Sequence, residues 1–330
     1  MIQVFCMEGD YLRRIDPKPD EALPADVLWI DLLNPSAEED KVVETWTGAS
    51  IPTTEDMVEI EESSRFYTEG GVKYLTAPIL HKAEMGQRKI APISFVLTER
   101  LLVTVRYSEP KAIELYISRA TKPGSNLLSP KCSGRSVMLG IIEAATDRLA
   151  DVLEDVTEEI ETASQAIWQK QTAERPMSTK EFRRLLTRIG SQGTFLSKVR
   201  ESLSGIGRLL AYVQVAVEGS EPRKETRTWI KSLERDTQSL ENYVDYLSNK
   251  ITFLLDTVVG LISVEQNAII KIFSVAAVGL MPPTLIASIY GMNFRFMPEL
   301  NETWGYPVAL GVMVLSAILP LFYFRRKGWL

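Results

Sequence analysis

A stripe of small and polar residues recurs at helical spacing in the last quarter of the chain. Steps of three and four residues from Asp256 place its members on one helix face. They are Asp256, Gly260, Ser263, Asn267, Ile270, Ser274, Ala277, Met281, Thr284 and Ser288. Such a face predicts either close helix packing through small residues or the lining of a water-filled path. Asp256 and Asn267 favour the path, because packing alone needs neither a carboxylate nor an amide.

A short motif follows the stripe. The run Tyr290-Gly291-Met292-Asn293-Phe294 is followed closely by Met297-Pro298-Glu299-Leu300. Glycine often ends a helix in the left-handed conformation, so the simplest interpretation of Gly291 is a helix C-cap. That interpretation does not exclude a binding role for the side chain of Asn293.

Catalysis and nucleic-acid binding have little support. His81 is the only histidine, and Cys6 and Cys132 have neither metal-ligand nor disulfide spacing. With no Gly-rich phosphate loop, His dyad or Cys nucleophile in the sequence, we expect no enzyme and no bound cofactor. The formal net charge of -6 argues against a nucleic-acid partner, because phosphate binding needs a basic face.

Two uncharged segments of membrane-spanning length lie on either side of the motif, and the first of them contains the C-terminal part of the stripe. Residues 272–290 and 306–324 are each long enough to cross a bilayer core. The cations lie at Lys271, Arg325, Arg326 and Lys327, whereas the loop between the segments carries Arg295 with Glu299 and Glu302. The positive-inside rule therefore predicts a multi-pass protein of the inner or plasma membrane with both termini cytoplasmic. The N-terminal sequence does not resemble a signal peptide.

The preceding residues predict a cytoplasmic α/β domain followed by long helices. Strand-like runs lie at Val27–Leu33, Val72–Leu80, Ile93–Leu97 and Leu101–Tyr107. An acidic helix and an arginine-rich helix follow; their charged faces either pair with each other or face solvent. From about residue 223 to Tyr290 one helix can run unbroken, with a heptad seam from Ile230 to Leu261. The seam fits a coiled coil or a bundle helix.

The motif, its position after one apolar span, the second span and the basic end at Arg325 together resemble the CorA family of magnesium channels, whose signature is Gly-Met-Asn. The resemblance is strong over about residues 256–330. It implies a homopentamer in the lipid bilayer, a passive path for hydrated Mg²⁺ with Co²⁺ or Ni²⁺ as further ions, and closure by intracellular divalent cations. The expected fold is a funnel-shaped α+β membrane protein whose first span lines the pore.

The resemblance also assigns roles to residues. Gly291, Met292 and Asn293 correspond to the selectivity filter, with Glu299 in the outer loop. The implied pore-lining positions are Asp256, Asn267, Ile270, Phe273, Ala277, Met281 and Thr284, with Lys271, Arg325, Arg326 and Lys327 at a basic mouth. Mg²⁺ loses its waters reluctantly, so Asn293 would hold the ion through those waters. Asp256 is a second candidate contact for the metal.

The expected organisation has seven parts. They are an α/β domain at 1–134, a helical hairpin at 135–221, a stalk helix at 222–271, the first span at 272–290, an outer loop at 291–305, the second span at 306–324 and a basic tail at 325–330. Two other functions stay open. One is a zinc transporter of the same superfamily, with or without proton coupling. The other is a membrane-anchored coiled-coil scaffold, which would carry no ions.

Overall fold

The computed structural model describes residues 1–18, 21–59, 61–82, 89–124, 128, 132–171, 177–218, 224–293, 295, 297–298 and 302–328. The chain divides into two compact units. The first contains Met1–Ala166 and Leu185–Phe253, and the second contains Ile167–Arg184 and Leu254–Leu330. The predicted combination of an α/β part, a long helix and two C-terminal apolar helices is confirmed.

The first unit contains a mixed β-sheet. Its strands among the described residues are β1 (Ile2–Glu8), β2 (Tyr11–Ile15), β3 (Val27–Leu33), β4 (Phe66–Glu69), β5 (Val72–Lys82), β6 (Lys89–Leu97) and β7 (Leu102–Arg106). They lie in the order β2-β1-β3-β7-β6-β5-β4. Among these described strands, only β3 and β7 pair in parallel. The short helices are α1 (Ala37–Thr47), α2 (Thr54–Val58), α3 (Glu62–Arg65) and α4 (Lys111–Ala120).

A buried polar network joins the two parallel strands. The Arg106 guanidinium on β7 donates to the Asp31 carboxylate on β3, with Nη2 2.8 Å from Oδ2. Thr104 donates to the same carboxylate at 2.6 Å and accepts a 2.9 Å bond from the Trp29 indole. A buried charge is tolerated only when it is paired and hydrogen-bonded, and this network meets both conditions.

Three long helices follow the sheet: α5 (Gly134–Gln171), α6 (Thr179–Glu218) and α7 (Lys224–Tyr290). Within the single chain, the α7 seam is buried at Ile230, Leu233, Thr237, Val244, Leu247 and Ile251 in the first unit and at Leu254 and Val258 in the second, and Leu240 and Leu261 are half-buried. The bundle-helix interpretation of the seam is therefore the correct one. Packing against its own chain occupies this face, so the seam is not a contact between copies.

The charged faces of α5 and α6 are mostly exposed to solvent. Arg188 on α6 pairs with Glu159 on α5 at 2.7 Å. Most of the other charges point outward, including those of Glu154, Asp155 and Arg184. The solvent-facing interpretation therefore holds for most of these charges. Among the described residues, Arg188–Glu159 is an ion pair between α5 and α6, and Glu161 and Arg200 pair with Lys250 and Asp245 of α7.

The second unit contains two helices that are long and apolar enough to cross a membrane. They are α7, through its C-terminal half, and α8 (Gly305–Arg326). Only 11% and 0% of their most apolar windows are buried inside the chain. A core helix of a soluble protein would be mostly buried. The exposure therefore favours lipid or other subunits as the environment of these helices.

Candidate ion pathway

The polar stripe on α7 is exposed along its whole length. Every member from Asp256 to Ser288 is exposed in the single chain, apart from Ser274, which is half-buried. Close packing of the stripe against the chain's own helices is therefore excluded. The stripe is available for water, ions or other copies of the chain.

Helix α8 packs on a different face of α7. Val275 and Gly279 are the buried residues of α7 in this region, and a Cβ added at Gly279 would lie 3.6 Å from Leu321 of α8. At 100° per residue, this face points roughly opposite to the stripe that contains Asn267 and Met281. The second span therefore leaves the stripe uncovered, as a pore-lining first span requires.

Large apolar side chains interrupt the stripe at two levels. Ile270 is 61% exposed and Met281 is 69% exposed. Phe273 is 71% exposed but lies on the flank of the stripe, one residue before Ser274. Ala277, between the two levels, is small and also exposed. Copies arranged around an axis would form apolar rings at Ile270 and Met281, and narrow apolar rings exclude water.

The polar residues of the stripe differ in the hydrogen-bonding groups that they present to an ion. The Thr284 hydroxyl donates a 2.7 Å bond to the Leu280 carbonyl of its own helix, so its oxygen faces outward as an acceptor. Asn267 and Asp256 are exposed, and their side chains can accept bonds from the waters of a hydrated cation. The stripe thus presents oxygen acceptors above and below the apolar levels.

The expected left-handed conformation of Gly291 is wrong. Helix α7 ends at Tyr290, and Gly291 is not among the described glycines with positive φ. Its N–H still donates to the Ala287 carbonyl at 2.9 Å, and Met292 donates to Ile289 at 3.2 Å, so the chain continues in a tightened helical turn. A Cβ at Gly291 would lie 3.2 Å from the Ala287 oxygen of the same turn, so alanine fits there only if the turn shifts by a few tenths of an ångström.

The other motif residues are placed in part. Met292 and Asn293 are exposed at the end of α7, where an amide ring could form only from several copies. Glu299 lies outside the described residues, as do Phe294 and Leu300. Within the described part of one chain, no group of three or more His, Cys, Asp or Glu side chains could hold a metal ion.

The residues predicted to form a basic mouth lie in two places, at the end of α8 and just before the first span of α7. Arg326 stacks over the Phe322 ring at 4.9 Å, and Lys327 lies 5.8 Å from the Tyr323 ring. Arg325 is exposed in the last turn, and Lys271 is exposed on α7. These contacts hold the α8 cations close to the helix end, where aromatic and basic residues meet at a membrane surface.

The sequence did not predict that Glu143 and Asp147 of α5 lie close to Asp236 of α7 in the first unit. Burial raises the pKa of Glu143 on α5, and the charges of Asp147 and Asp236 raise it further against a hydrogen bond from Trp229. Burial likewise raises the pKa of Asp147, although the charge of Arg119 opposes the shift. The crowded acids on α5 were visible in the sequence, but their proximity to Asp236 depends on how α7 packs.

Comparisons with known proteins agree on one family. The family described as CorA-like Mg²⁺ transporter protein matches residues 24–326. The magnesium transport protein CorA of Pasteurella multocida is 35% identical over 336 residues, and that of Haemophilus influenzae (strain 86-028NP) is 34% identical; each alignment covers 100% of both chains. The CorA magnesium transporter structure from Methanocaldococcus jannaschii superposes with a TM-score of 0.78 at 18% identity, covering 100% of this chain and 99% of that one.

Proposed function

The chain belongs to the CorA-like Mg²⁺ transporter family, and we propose from this that it conducts hydrated Mg²⁺ across a membrane. The observation that carries the proposal is the exposed polar stripe on α7, which continues from Asp256 through the apolar span to Ser288. A membrane-anchored scaffold does not need hydrogen-bond acceptors on this helix face inside a bilayer, where polar side chains are costly.

The path forms between copies of the chain. The stripe belongs to one helix face, so it encloses water only when several α7 helices surround an axis. The family resemblance supports five copies with α7 inside and α8 outside, and the position of α8 opposite the stripe agrees with that arrangement. Both termini then lie in the cytoplasm and the Gly-Met-Asn motif at the outer mouth of an inner or plasma membrane protein.

The ion passes with its waters in place. Amide oxygens of Asn293 accept hydrogen bonds from the hydration shell, which Mg²⁺ gives up only reluctantly. Neutral acceptors bind weakly enough for the ion to leave, whereas a ring of carboxylates would hold it. Below this ring, Thr284 and Asn267 offer further oxygen acceptors on the same face. The membrane potential supplies the driving force.

The ion path closes at the two apolar rings of the stripe. Rings of Met281 and Ile270 exclude water when narrow, which stops a hydrated ion without any blocking charge. Intracellular divalent cations favour the closed form in this proposal. Phe273 adds bulk on the flank of the Ile270 level, so its ring contributes to the width of the constriction.

Flux measurements in proteoliposomes test the proposal. Purified protein in vesicles with an inside-negative potential should take up Mg²⁺ without needing a pH gradient. Co²⁺ and Ni²⁺ serve as further test ions. Uptake of Zn²⁺ that exceeds that of Mg²⁺ and scales with the pH gradient would instead establish the zinc transporter. Assembled protein with no uptake of any divalent ion would leave only the scaffold.

A further inference from the structure

The end of the α5–α6 hairpin, described at residues 167–171 and 177–184, is hydrogen-bonded to α7 just before the membrane span begins. We call these residues the hairpin end. The backbone N–H of Met177 donates a 3.0 Å hydrogen bond to Oε1 of Glu265, and the Met177 side chain is buried. Glu265 lies seven residues before Ile272, where the uncharged segment starts. That separation is about 10 Å along a helix. The bond therefore holds the hairpin end close to the membrane surface.

The end of α8 marks the same boundary independently. Leu321 contacts α7 at Gly279, and α8 runs back along α7 from the connecting loop. Arg325, Arg326 and Lys327 follow Leu321 by one to two turns, which brings them to the level at which α7 changes from apolar residues to Lys271. Both helices become cationic at one level, so the hydrocarbon edge lies there.

The hairpin end carries positive charge in an acidic protein. Among the described side chains of this end, the cations Lys180, Arg183 and Arg184 outnumber the single carboxylate of Glu181, whereas the whole chain has a net charge of -6. Lys180, Arg183 and Arg184 are exposed.

The cations lie near the start of α6. Lys180 is in its first turn beside Glu181, and Arg183 and Arg184 follow in the second turn, beyond the range of the helix dipole. The last turns of α5 present Trp168, which is 46% exposed. Exposed tryptophan next to basic residues is typical of a surface that meets a membrane interface.

We propose that this hairpin end binds the headgroups of anionic phospholipids. Lys180, Arg183 and Arg184 supply the charge, and Trp168 supplies the amphipathic ring. The headgroup layer extends roughly 5–8 Å beyond the hydrocarbon, and charges in physiological salt interact over about 8 Å. Lys180 and Arg184 follow Met177 by three and seven residues, roughly 5 and 10 Å of helix, so their backbones lie roughly 15–20 Å from the hydrocarbon and their long side chains can reach the headgroup region. The inference rests on the proposed membrane insertion, but it does not depend on which ion is carried.

The test measures the contact of Trp168 with lipid headgroups. The full chain is reconstituted in phosphatidylcholine vesicles with or without phosphatidylglycerol, each doped with a lipid that carries a nitroxide on its headgroup. The difference between wild type and Trp168→Phe isolates the quenching of this one tryptophan. We expect clear quenching with phosphatidylglycerol, little with phosphatidylcholine alone, and loss of the difference at high salt.

Charge variants show which residues are responsible. The triple variant Lys180→Gln, Arg183→Gln, Arg184→Gln should lose the phosphatidylglycerol-dependent quenching, whereas Lys180→Arg with Arg183→Lys and Arg184→Lys should keep it. The matched control neutralises three exposed cations near the start of α7, with Arg227→Gln, Lys231→Gln and Arg235→Gln, and should behave as wild type.

Three outcomes overturn the inference. The first is quenching that ignores phosphatidylglycerol, and the second is quenching that survives in the triple-glutamine variant. The third is a triple variant whose oligomer size changes while its lipid response does not, which would assign the cations to a neighbouring subunit. Divalent ion uptake is recorded in the same vesicles. Normal Mg²⁺ uptake without lipid-dependent quenching refutes this inference alone, and lipid-dependent quenching without uptake of any divalent ion refutes the proposed function alone.

Discussion

The Ser202 hydroxyl of α6 donates a 2.8 Å hydrogen bond to the carbonyl of Pro78 in the middle of β5. Pro78 lies opposite Pro92 of β6, so neither residue can donate a ladder bond at this point of the sheet. One turn further along α6, a Cβ on Gly205 would lie 2.4 Å from Pro78 Cδ. At this point of the sheet, α6 therefore packs closely on β5 through the Ser202 hydroxyl and the absence of a side chain at Gly205.

Gly205→Ala is expected to destabilise the protein. The added methyl would overlap a rigid proline ring, and overpacking of this kind costs about 1–3 kcal/mol. Gly190→Ala is the matched control, because it lies on the same helix with nothing within 4 Å of an added Cβ. Alanine there should stabilise the helix by up to about 1 kcal/mol. Thermal unfolding in detergent compares the two, and equal shifts would contradict the docking role of Gly205.

Asn293→Ala is expected to reduce Mg²⁺ uptake to the level of protein-free vesicles while the oligomer still forms. The alanine removes the amide that accepts hydrogen bonds from the hydrated ion, and it leaves the packing within each chain unchanged because Asn293 is exposed. Asn293→Asp keeps the shape but adds charge, so it should bind Mg²⁺ more tightly and pass it more slowly. Near-normal uptake by a well-assembled alanine variant would remove Asn293 from the filter.

Met281→Ser is expected to raise the basal ion leak. A hydroxyl at this level lets water enter a constriction that the thioether keeps dry. Leu319→Ser on α8 serves as the control, because Leu319 is similarly exposed at 63% against 69% but belongs to the second span. Leak is measured at high internal Mg²⁺ and matched protein levels. Equal leak in the two variants would place the gate elsewhere.

Glu143→Gln is expected to raise the apparent Tm at neutral pH. Burial and the charges of Asp147 and Asp236 raise the pKa of Glu143 in the folded protein. Ionisation of Glu143 therefore lowers the free energy of unfolding. This penalty is complete above the raised folded pKa. It disappears as pH falls toward the unfolded value of about 4.3. The advantage of the glutamine variant should therefore shrink with acidification.

A series of unfolding measurements between neutral and acidic pH checks this dependence. Glu154→Gln is the control, because Glu154 is exposed on the same helix. An advantage of Glu143→Gln that stays constant over the whole pH range would show that the substitution acts through packing and not through charge.

The apolar spans and the end of α7 could be predicted because a bilayer imposes length and composition on a segment by itself. The strands β3, β5, β6 and β7 were found from their apolar runs. Strands β1, β2 and β4 were not, because they are short or carry charges, as Arg13 and Arg14 do in β2. Their pairing is set by neighbours that are distant in sequence.

Local patterns also could not identify partners. The heptad seam of α7 was correctly seen as a buried face, but whether its partner was a second chain or the chain's own α5 and α6 depends on tertiary packing. The backbone of Gly291 is a similar case: a glycine after a helix is usually left-handed, and here the tightened turn overrides that preference. The Asp31–Arg106 pair was invisible because 75 residues separate its members.

Asp256→Asn tests the cytoplasmic end of the stripe. Asp256 lies 37 residues before Asn293, roughly 55 Å along the helix, and it is exposed on the same face. Around an axis, five such carboxylates would concentrate divalent cations by focusing their field. They would also repel one another when no ion is present. The asparagine variant should therefore lower divalent conductance or shift its dependence on internal Mg²⁺. An isolated surface carboxylate would do neither, because single exposed charges contribute little.

Glu225→Gln, in the first turn of α7, provides the control for a charge change on the same helix. Currents recorded at several internal Mg²⁺ concentrations distinguish the two cases, and wild-type behaviour of Asp256→Asn at all of them would exclude a carboxylate ring.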